Sequence, residues 1–192
     1  MFLYRINDRA ELRLLEEQHA AELRAMTRRH WDYFREWMPS FSDDYSLAES
    51  RDFIRQCLER FAAGQEVPAG IWDAGEMVGV IALKSIDLIN RNASLGYYLA
   101  ATHQGHGLVT EACRILLDYA FEELQLNRVD ILCAPGNAKS RAIPQRLGFT
   151  EEGTLREVQW LYDHYVDLIV YAMLKRDWKI ESKDERGTMN AE

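Results

Sequence analysis

Basic residues are in the minority in this sequence of 192 residues. Lysine and arginine total 23, against 31 aspartates and glutamates, so the formal net charge at pH 7 is −8. An acidic surface repels the phosphate backbone of nucleic acids, which counts against direct nucleic-acid binding. The same charge suits cationic partners, such as amines or basic proteins.

Long apolar segments are also missing. The longest purely apolar run, 168–174, is far shorter than the roughly 20 residues that cross a bilayer as a helix. The opening residues, MFLYRINDR, carry charges where a secretory signal peptide has its apolar core. We therefore expect no membrane partner and a cytoplasmic location.

Cysteine is scarce, with only Cys57, Cys113 and Cys133 in the chain. The three are scattered and lack the spacing of metal ligands, so we expect no metal site. Disulfides are rare in the cytosol, and an odd number cannot pair completely within one chain. The sequence predicts three reduced, buried thiols.

No internal repeat, low-complexity block or linker rich in Pro, Gly and Ser divides the chain. We therefore expect a single domain over residues 1–178. The remaining residues, 179–192, are polar and offer almost nothing to bury, which predicts a disordered tail.

The hydrophobic pattern predicts an α+β fold with a mixed sheet and helices on both faces. A first helix, starting near Ala20, is expected to end before Pro39. A second helix is expected to be capped by Ser46 or Asp44 and to end at Gly64. Two further helices are expected at about 107–124 and 137–147. The seven predicted strands are 12–15, 69–72, 77–83, 93–99, 129–133, 154–161 and 165–174.

The segment between the 93–99 strand and the next helix has the features of an anion site. Gly105 and Gly107 allow a sharp turn and a close approach of the backbone to a ligand. Successive N–H groups at the helix start would face that ligand, with the positive end of the helix dipole behind them. A phosphate site and a plain glycine-containing turn both fit this pattern. A P-loop is excluded, because no Gly-Lys-Ser/Thr follows, and the dinucleotide fingerprint lacks its third glycine.

The same segment carries a resemblance to a known family. Gln104-Gly105-His106-Gly107-Leu108-Val109 resembles the Q/R-x-x-G-x-G/A loop of the GNAT N-acetyltransferases, although Val109 replaces the usual small residue. Further segments resemble the RimJ/RimL branch, of the ribosomal-protein-serine acetyltransferase type. The similarity is strong over 69–178 and weak over the first two helices. The segments are Asn127–Val129, Asn137–Arg141, Leu147–Phe149 and Glu152–Arg156.

The resemblance implies a GNAT fold, in which the fourth and fifth strands splay apart to form a cleft for the acetyl donor, acetyl-CoA. Asn137 would bind the pantetheine arm, although it could equally well only cap its helix. Arg141 would add positive charge, together with His103, His106 and Lys139. Tyr98 and Leu99, at the end of the strand, would pair with pantetheine through their backbone. The loop would hold the pyrophosphate, and its residues are Gln104, Gly105, His106, Gly107, Leu108, Val109 and Thr110.

GNAT enzymes transfer the acetyl group directly to the amine. This reaction calls for an acid that protonates the departing sulfur and a base that removes the amine proton. By resemblance, Ser140 faces the CoA sulfur and is the candidate acid; its alternative role is to satisfy a first-turn N–H. The base proposed for the ribosomal-alanine branch matches Gln159, whose amide cannot accept a proton at neutral pH. Glu157, two residues earlier on the same strand face, is the substitute. Water is the alternative, because an α-amine with a pKa of about 7.7–8.0 is partly deprotonated at neutral pH.

The resulting prediction is an N-acetyltransferase that acts on a primary amine, with the N-terminal amine of a ribosomal protein favoured. A small amine (polyamine or aminoglycoside) is the alternative acceptor, and a CoA-binding sensor without turnover is the alternative function. Acceptor-binding residues are expected within 31–53. A homo-oligomer is compatible with this prediction.

Overall fold

The computed structural model describes residues 3–39 and 44–178, which form one eight-stranded sheet in the order β1-β2-β3-β4-β5-β6-β8-β7. The predicted α+β class with a mixed sheet is confirmed, but the predicted count of seven strands is one too low. The additional strand is β1, which is exposed at all three positions and therefore lacks the apolar alternation that reveals a strand. The strands are β1 (Leu3–Arg5), β2 (Ala10–Leu14), β3 (Val67–Asp73), β4 (Glu76–Asp87), β5 (Asn92–Leu99), β6 (Arg128–Cys133), β7 (Thr150–Leu161) and β8 (His164–Leu174).

The described residues contain five α-helices rather than the predicted four. The predicted first helix is divided at His30, whose backbone leaves the helical region at φ −114° and ψ 21°. The predicted second helix is capped by Ser46, one of the two expected caps. The Ser46 hydroxyl accepts the N–H of Glu49, while the Glu49 carboxylate accepts the N–H of Ser46. The helices are α1 (Ala20–Arg29), α2 (Trp31–Phe34), α3 (Leu47–Ala62), α4 (Leu108–Asp118) and α5 (Ala138–Arg146).

Helices cover both faces of the sheet, as predicted. Ile71 and Trp72 are neighbours on β3 and point to opposite faces, because successive strand side chains alternate. Ile71 packs in the cluster that contains α4, and Trp72 packs in the cluster with α1 and α3. The sheet therefore separates two apolar cores, and α4 packs in one of them through Leu108, Ala112 and Leu116.

The sheet opens between β5 and β6. These parallel strands pair only from Asn92–Ser94 to Arg128–Asp130. Beyond those three pairs β5 continues to Leu99 against β4, while β6 continues to Cys133 against β8. The predicted splay of the fourth and fifth strands is confirmed, since they correspond to β5 and β6.

The three cysteines are buried free thiols, as predicted. Burial raises the pKa of the Cys57 thiol to about 12 and raises the pKa of Cys133 as well. Over the ranges 3–39 and 44–178, no helix is long and apolar enough to cross a membrane. The predicted disordered tail, 179–192, lies outside the described residues.

Candidate active site

A cavity of about 850 Å³ occupies the opening between β5 and α5. Its volume is that of a small-molecule or cofactor site. The end of β5, the loop that follows, the first turns of α4 and one side of α5 form its walls. Side chains from α2 and the residues after it close the remaining side: Tyr33, Phe34, Trp37 and Met38.

The start of α4, where the sequence predicts an anion site, forms one end of this cavity. Gly107 is the N-cap residue of α4 and adopts a left-handed backbone, with φ +76°, while Gly105 has φ +84°. A Cβ at Gly107 would meet no atom within 4 Å, so the space in front of the helix is open. Leu108, Val109 and Thr110 line the cavity directly after it. The first free N–H groups of α4 thus face the cavity, where they can bind an anion.

Basic side chains of α5 form hydrogen bonds with the loop and the first turn at the start of α4. The Lys139 ammonium donates to Gln104 Oε1 at 2.8 Å, in the loop that precedes α4. The Arg146 guanidinium donates to Thr110 Oγ1 at 2.9 Å, in the first turn of α4. Both cations line the cavity, and they provide local positive charge in a chain with a net charge of −8.

Ser140 is held in the first turn of α5. Asn137 is the N-cap residue, and its side-chain oxygen accepts the Ser140 N–H at 3.0 Å. The capping role weighed for Asn137 is therefore confirmed, and Asn137 also lines the cavity. The Ser140 hydroxyl lies 3.2 Å from the Cys133 thiol on β6. Ser140 thus faces the splay with its backbone N–H already satisfied.

A second cavity of about 140 Å³ adjoins the first at Ser140. Nearby, the Tyr162 hydroxyl in the β7–β8 turn donates to Met38 O at 2.9 Å and connects this turn to the segment after α2. No acidic side chain is present among the described residues that line this cavity. Five residues line both cavities: Trp37, Met38, Tyr97, Asn137 and Ser140. The rest of the lining is Leu132, Cys133, Ala134, Gln159, Leu161, Val166 and Leu168.

This arrangement can hold an anionic ligand in the larger cavity and a small neutral group in the other, with Ser140 between them. The sequence profile of the acetyltransferase (GNAT) domain matches residues 9–150, well over half of the chain. The chain belongs to the GNAT acetyltransferase family.

Three named acetyltransferases are similar to this chain over most of their length. "Putative ribosomal N-acetyltransferase YdaF" of Bacillus subtilis (strain 168) is 39% identical over 186 residues, which cover 94% of this chain and 100% of the relative. The ribosomal-protein-serine acetyltransferase of Escherichia coli (strain K12) is 26% identical over 172 residues, covering 88% and 95%. The microcin C7 self-immunity acetyltransferase MccE, solved with acetyl-CoA and AMP, has a TM-score of 0.83 and 28% identity, covering 88% and 94%.

Most of the residues assigned by resemblance to the GNAT loop and strand end line the larger cavity. They are Tyr98, Leu99, Gln104, Gly105, Gly107, Leu108, Val109 and Thr110. His106 is exposed and lies outside that lining. Arg141 also lies outside it, because its guanidinium donates to Tyr171 Oη at 3.0 Å and to Pro135 O at 3.1 Å. The cofactor roles of these residues remain predictions.

Two cations of the GNAT site were missed in the sequence. Arg114 lines the cavity one helical turn after Thr110, so the i, i+4 spacing on α4 could have revealed it. Arg146 had no such signal, because its partner Thr110 is 36 residues away and on another helix.

Of the acceptor region expected within 31–53, Trp37 and Met38 line both cavities, and 40–43 lie outside the described residues.

The structure does not bring Glu157 to either cavity. The register of β7 shifts between Leu155 and Gln159, and Glu157 lies in this bulge with φ +51°. Its N–H donates to the Asp167 carboxylate at 2.8 Å, and its side chain is exposed. Strand alternation, which predicted that Glu157 shares the face of Gln159, is interrupted by the bulge. Gln159 does line the smaller cavity.

The assignment of Glu157 as a base can be tested directly. Because Glu157 lines neither cavity, we expect Glu157→Gln to change kcat/KM by less than about threefold at neutral pH. Steady-state kinetics of CoA release would measure it, with Gln159→Ala as the comparison inside the smaller cavity. A loss of about 100-fold or more in Glu157→Gln would instead establish a general base.

Proposed function

We propose that this GNAT enzyme transfers the acetyl group of acetyl-CoA to the N-terminal amine of a protein, with a ribosomal protein as the acceptor. The observation that carries this choice is the neutral lining of the smaller cavity, described above. A polyamine carries several ammonium groups, and their desolvation must be offset by carboxylates. A peptide N-terminus brings one amine and then neutral peptide groups, which this lining suits. The names of the B. subtilis and E. coli relatives support the same class of acceptor.

The larger cavity fits acetyl-CoA. The open space before Gly107, the N-terminus of α4 and the cations Lys139 and Arg146 suit its pyrophosphate. The pairing of β5 with β6 stops at Ser94, so an extended pantetheine arm can bind beside the end of β5 as an added strand. Bound this way, acetyl-CoA supplies an activated thioester.

The chain's own residues then handle orientation and protons. The Ser140 hydroxyl, between the two cavities, can donate a proton to the departing sulfur. The backbone N–H groups near Leu99 can stabilise negative charge on the carbonyl oxygen. The amine proton passes to water, since an α-amine is partly neutral at pH 7 and needs only weak help. We further propose a cytosolic location, which is supported by the three buried thiols.

The acceptor is tested by an acetyl-transfer screen. Peptides with the N-terminal sequences of ribosomal proteins, beginning with Ser or Ala, are compared with spermidine and an aminoglycoside. We expect kcat/KM to be at least about tenfold higher for a peptide than for either small amine, because the smaller cavity has no described carboxylate. CoA release and the mass of the product are measured.

The same peptide acetylated in advance at its α-amine is the matched control and must give no product. A preference for spermidine would reject the peptide assignment and retain the enzyme. Calorimetric binding of acetyl-CoA with no turnover on any amine would instead indicate a CoA-binding sensor.

A further inference from the structure

Helix α5 contains a proline one turn after the candidate acid. Pro144 lies inside the helix, which continues to Arg146. In a regular helix the N–H of residue 144 would donate to the carbonyl of residue 140, four positions earlier. Proline has no N–H, so the Ser140 carbonyl loses this donor. The Ser140 carbonyl therefore lacks its regular helical donor, and a donor from elsewhere in the fold can replace it.

Tyr97 supplies that donor from another part of the fold. Its hydroxyl donates to Ser140 O at 3.0 Å, although the two residues are 43 positions apart. Tyr97 lies on β5 just where that strand has separated from β6, and it packs against the α4-side core. Burial raises the pKa of the Tyr97 phenol far above its usual value, so the hydroxyl stays protonated and remains a donor.

The Tyr97 hydrogen bond is the third contact that holds Ser140. The Asn137 side chain accepts the Ser140 N–H at 3.0 Å, and the Cys133 thiol lies 3.2 Å from the Ser140 hydroxyl. Tyr97 lines both cavities, as Ser140 does. A shift of the Ser140 backbone would therefore change where its hydroxyl points relative to the junction of the cavities.

We propose that Tyr97 is a positioning residue for acetyl transfer, whose hydroxyl replaces the donor that Pro144 cannot supply and thereby orients Ser140. The catalytic part of this inference rests on the proposed function. Tyr97 does not itself exchange a proton with the reactants; it acts through the Ser140 carbonyl.

The proposal predicts a specific rescue. Tyr97→Phe keeps the ring and removes the donor, so we expect kcat to fall about tenfold while the KM for acetyl-CoA changes less than about threefold. Pro144→Ala restores a backbone N–H four residues after Ser140. In the Pro144→Ala background, Tyr97→Phe should therefore lower kcat by less than about threefold. The four proteins form a double-mutant cycle, measured by CoA release with the preferred peptide.

A second readout does not need turnover. Hydrogen exchange of the 138–146 segment, followed by mass spectrometry, should rise in Tyr97→Phe and return towards the wild-type rate in the double mutant. Equal kcat losses in both backgrounds, or no loss in Tyr97→Phe, would overturn the proposal. If Tyr97→Phe alone does not fold, the comparison of Pro144→Ala with the double mutant decides, and a tenfold loss there overturns it.

Failure of the proposed function would look different. A wild-type protein without turnover on any amine would reject the acetyl-transfer assignment and, with it, the catalytic part of the Tyr97 proposal. The exchange pattern of 138–146 would still show whether Tyr97 holds the Ser140 turn.

Discussion

Gly107→Asp should lower the affinity for acetyl-CoA by about tenfold or more while the protein remains folded. Gly107 is the left-handed N-cap of α4 and has open space in front of it, where the pyrophosphate is proposed to lie. An aspartate would place a negative charge in that space and cancel the attraction of the helix N-terminus. Aspartate tolerates a left-handed backbone better than most residues, so the loss of stability should be about 1–2 kcal/mol. Calorimetry with acetyl-CoA measures the affinity.

Two matched variants separate charge from strain. Gly107→Asn has nearly the same shape without the charge, so its affinity should lie between those of wild type and Gly107→Asp. Gly64→Asp makes the same substitution at another left-handed glycine, with φ +70° and no atom within 4 Å of a Cβ, outside both cavities. It should lose stability and keep wild-type affinity. Equal affinity for wild type and folded Gly107→Asp would show that no pyrophosphate binds at this helix.

Ser140→Ala should lower kcat by roughly 10- to 100-fold and leave acetyl-CoA affinity within about threefold. The CoA thiol resembles a cysteine thiol, with a pKa of about 8.5, so its thiolate leaves fairly well without help. Acid assistance therefore matters less than it would for an alkoxide or an amide. The structure adds that the capping bond uses the Ser140 N–H, which alanine keeps. Melting temperature should consequently change little, and both quantities are measured on one preparation.

The control for Ser140→Ala is a variant that loses stability elsewhere. Asp87 accepts the N–H groups of Ile89 and Asn90, both at 2.8 Å, in the β4–β5 turn at the far end of β5 from the cavity. Asp87→Ala should melt earlier and retain kcat. If Ser140→Ala behaves like Asp87→Ala, Ser140 is a structural residue and water delivers the proton.

Short sequence patterns were enough to predict two of the helix starts that line this site. Gly107 before an amphipathic helix, and Asn137 three residues before Ser140, are patterns whose partners lie within one helical turn. The structure shows both in the expected geometry. The family resemblance then linked these two helices to one ligand.

Contacts across the fold escaped prediction because sequence spacing carries no information about them. Tyr97 and Ser140, or Thr110 and Arg146, meet only after the chain has been brought back by the sheet. The bulge at Glu157 also depends on pairing, since it arises where β7 and β8 change register. Simple alternation predicts that Glu157 and Gln159 share one strand face, but only Gln159 lines the smaller cavity.

The sequence by itself determined the α+β class, the glycine turn before α4 and the capped turn that contains Ser140. These features depend on hydrogen bonds and side-chain spacing within a few residues. The tertiary structure alone decided that two cavities meet at Ser140 and that Tyr97 supplies the donor missing at Pro144. Those features require β5 and β6 to separate after three pairs, and such a separation depends on how distant strands and helices pack.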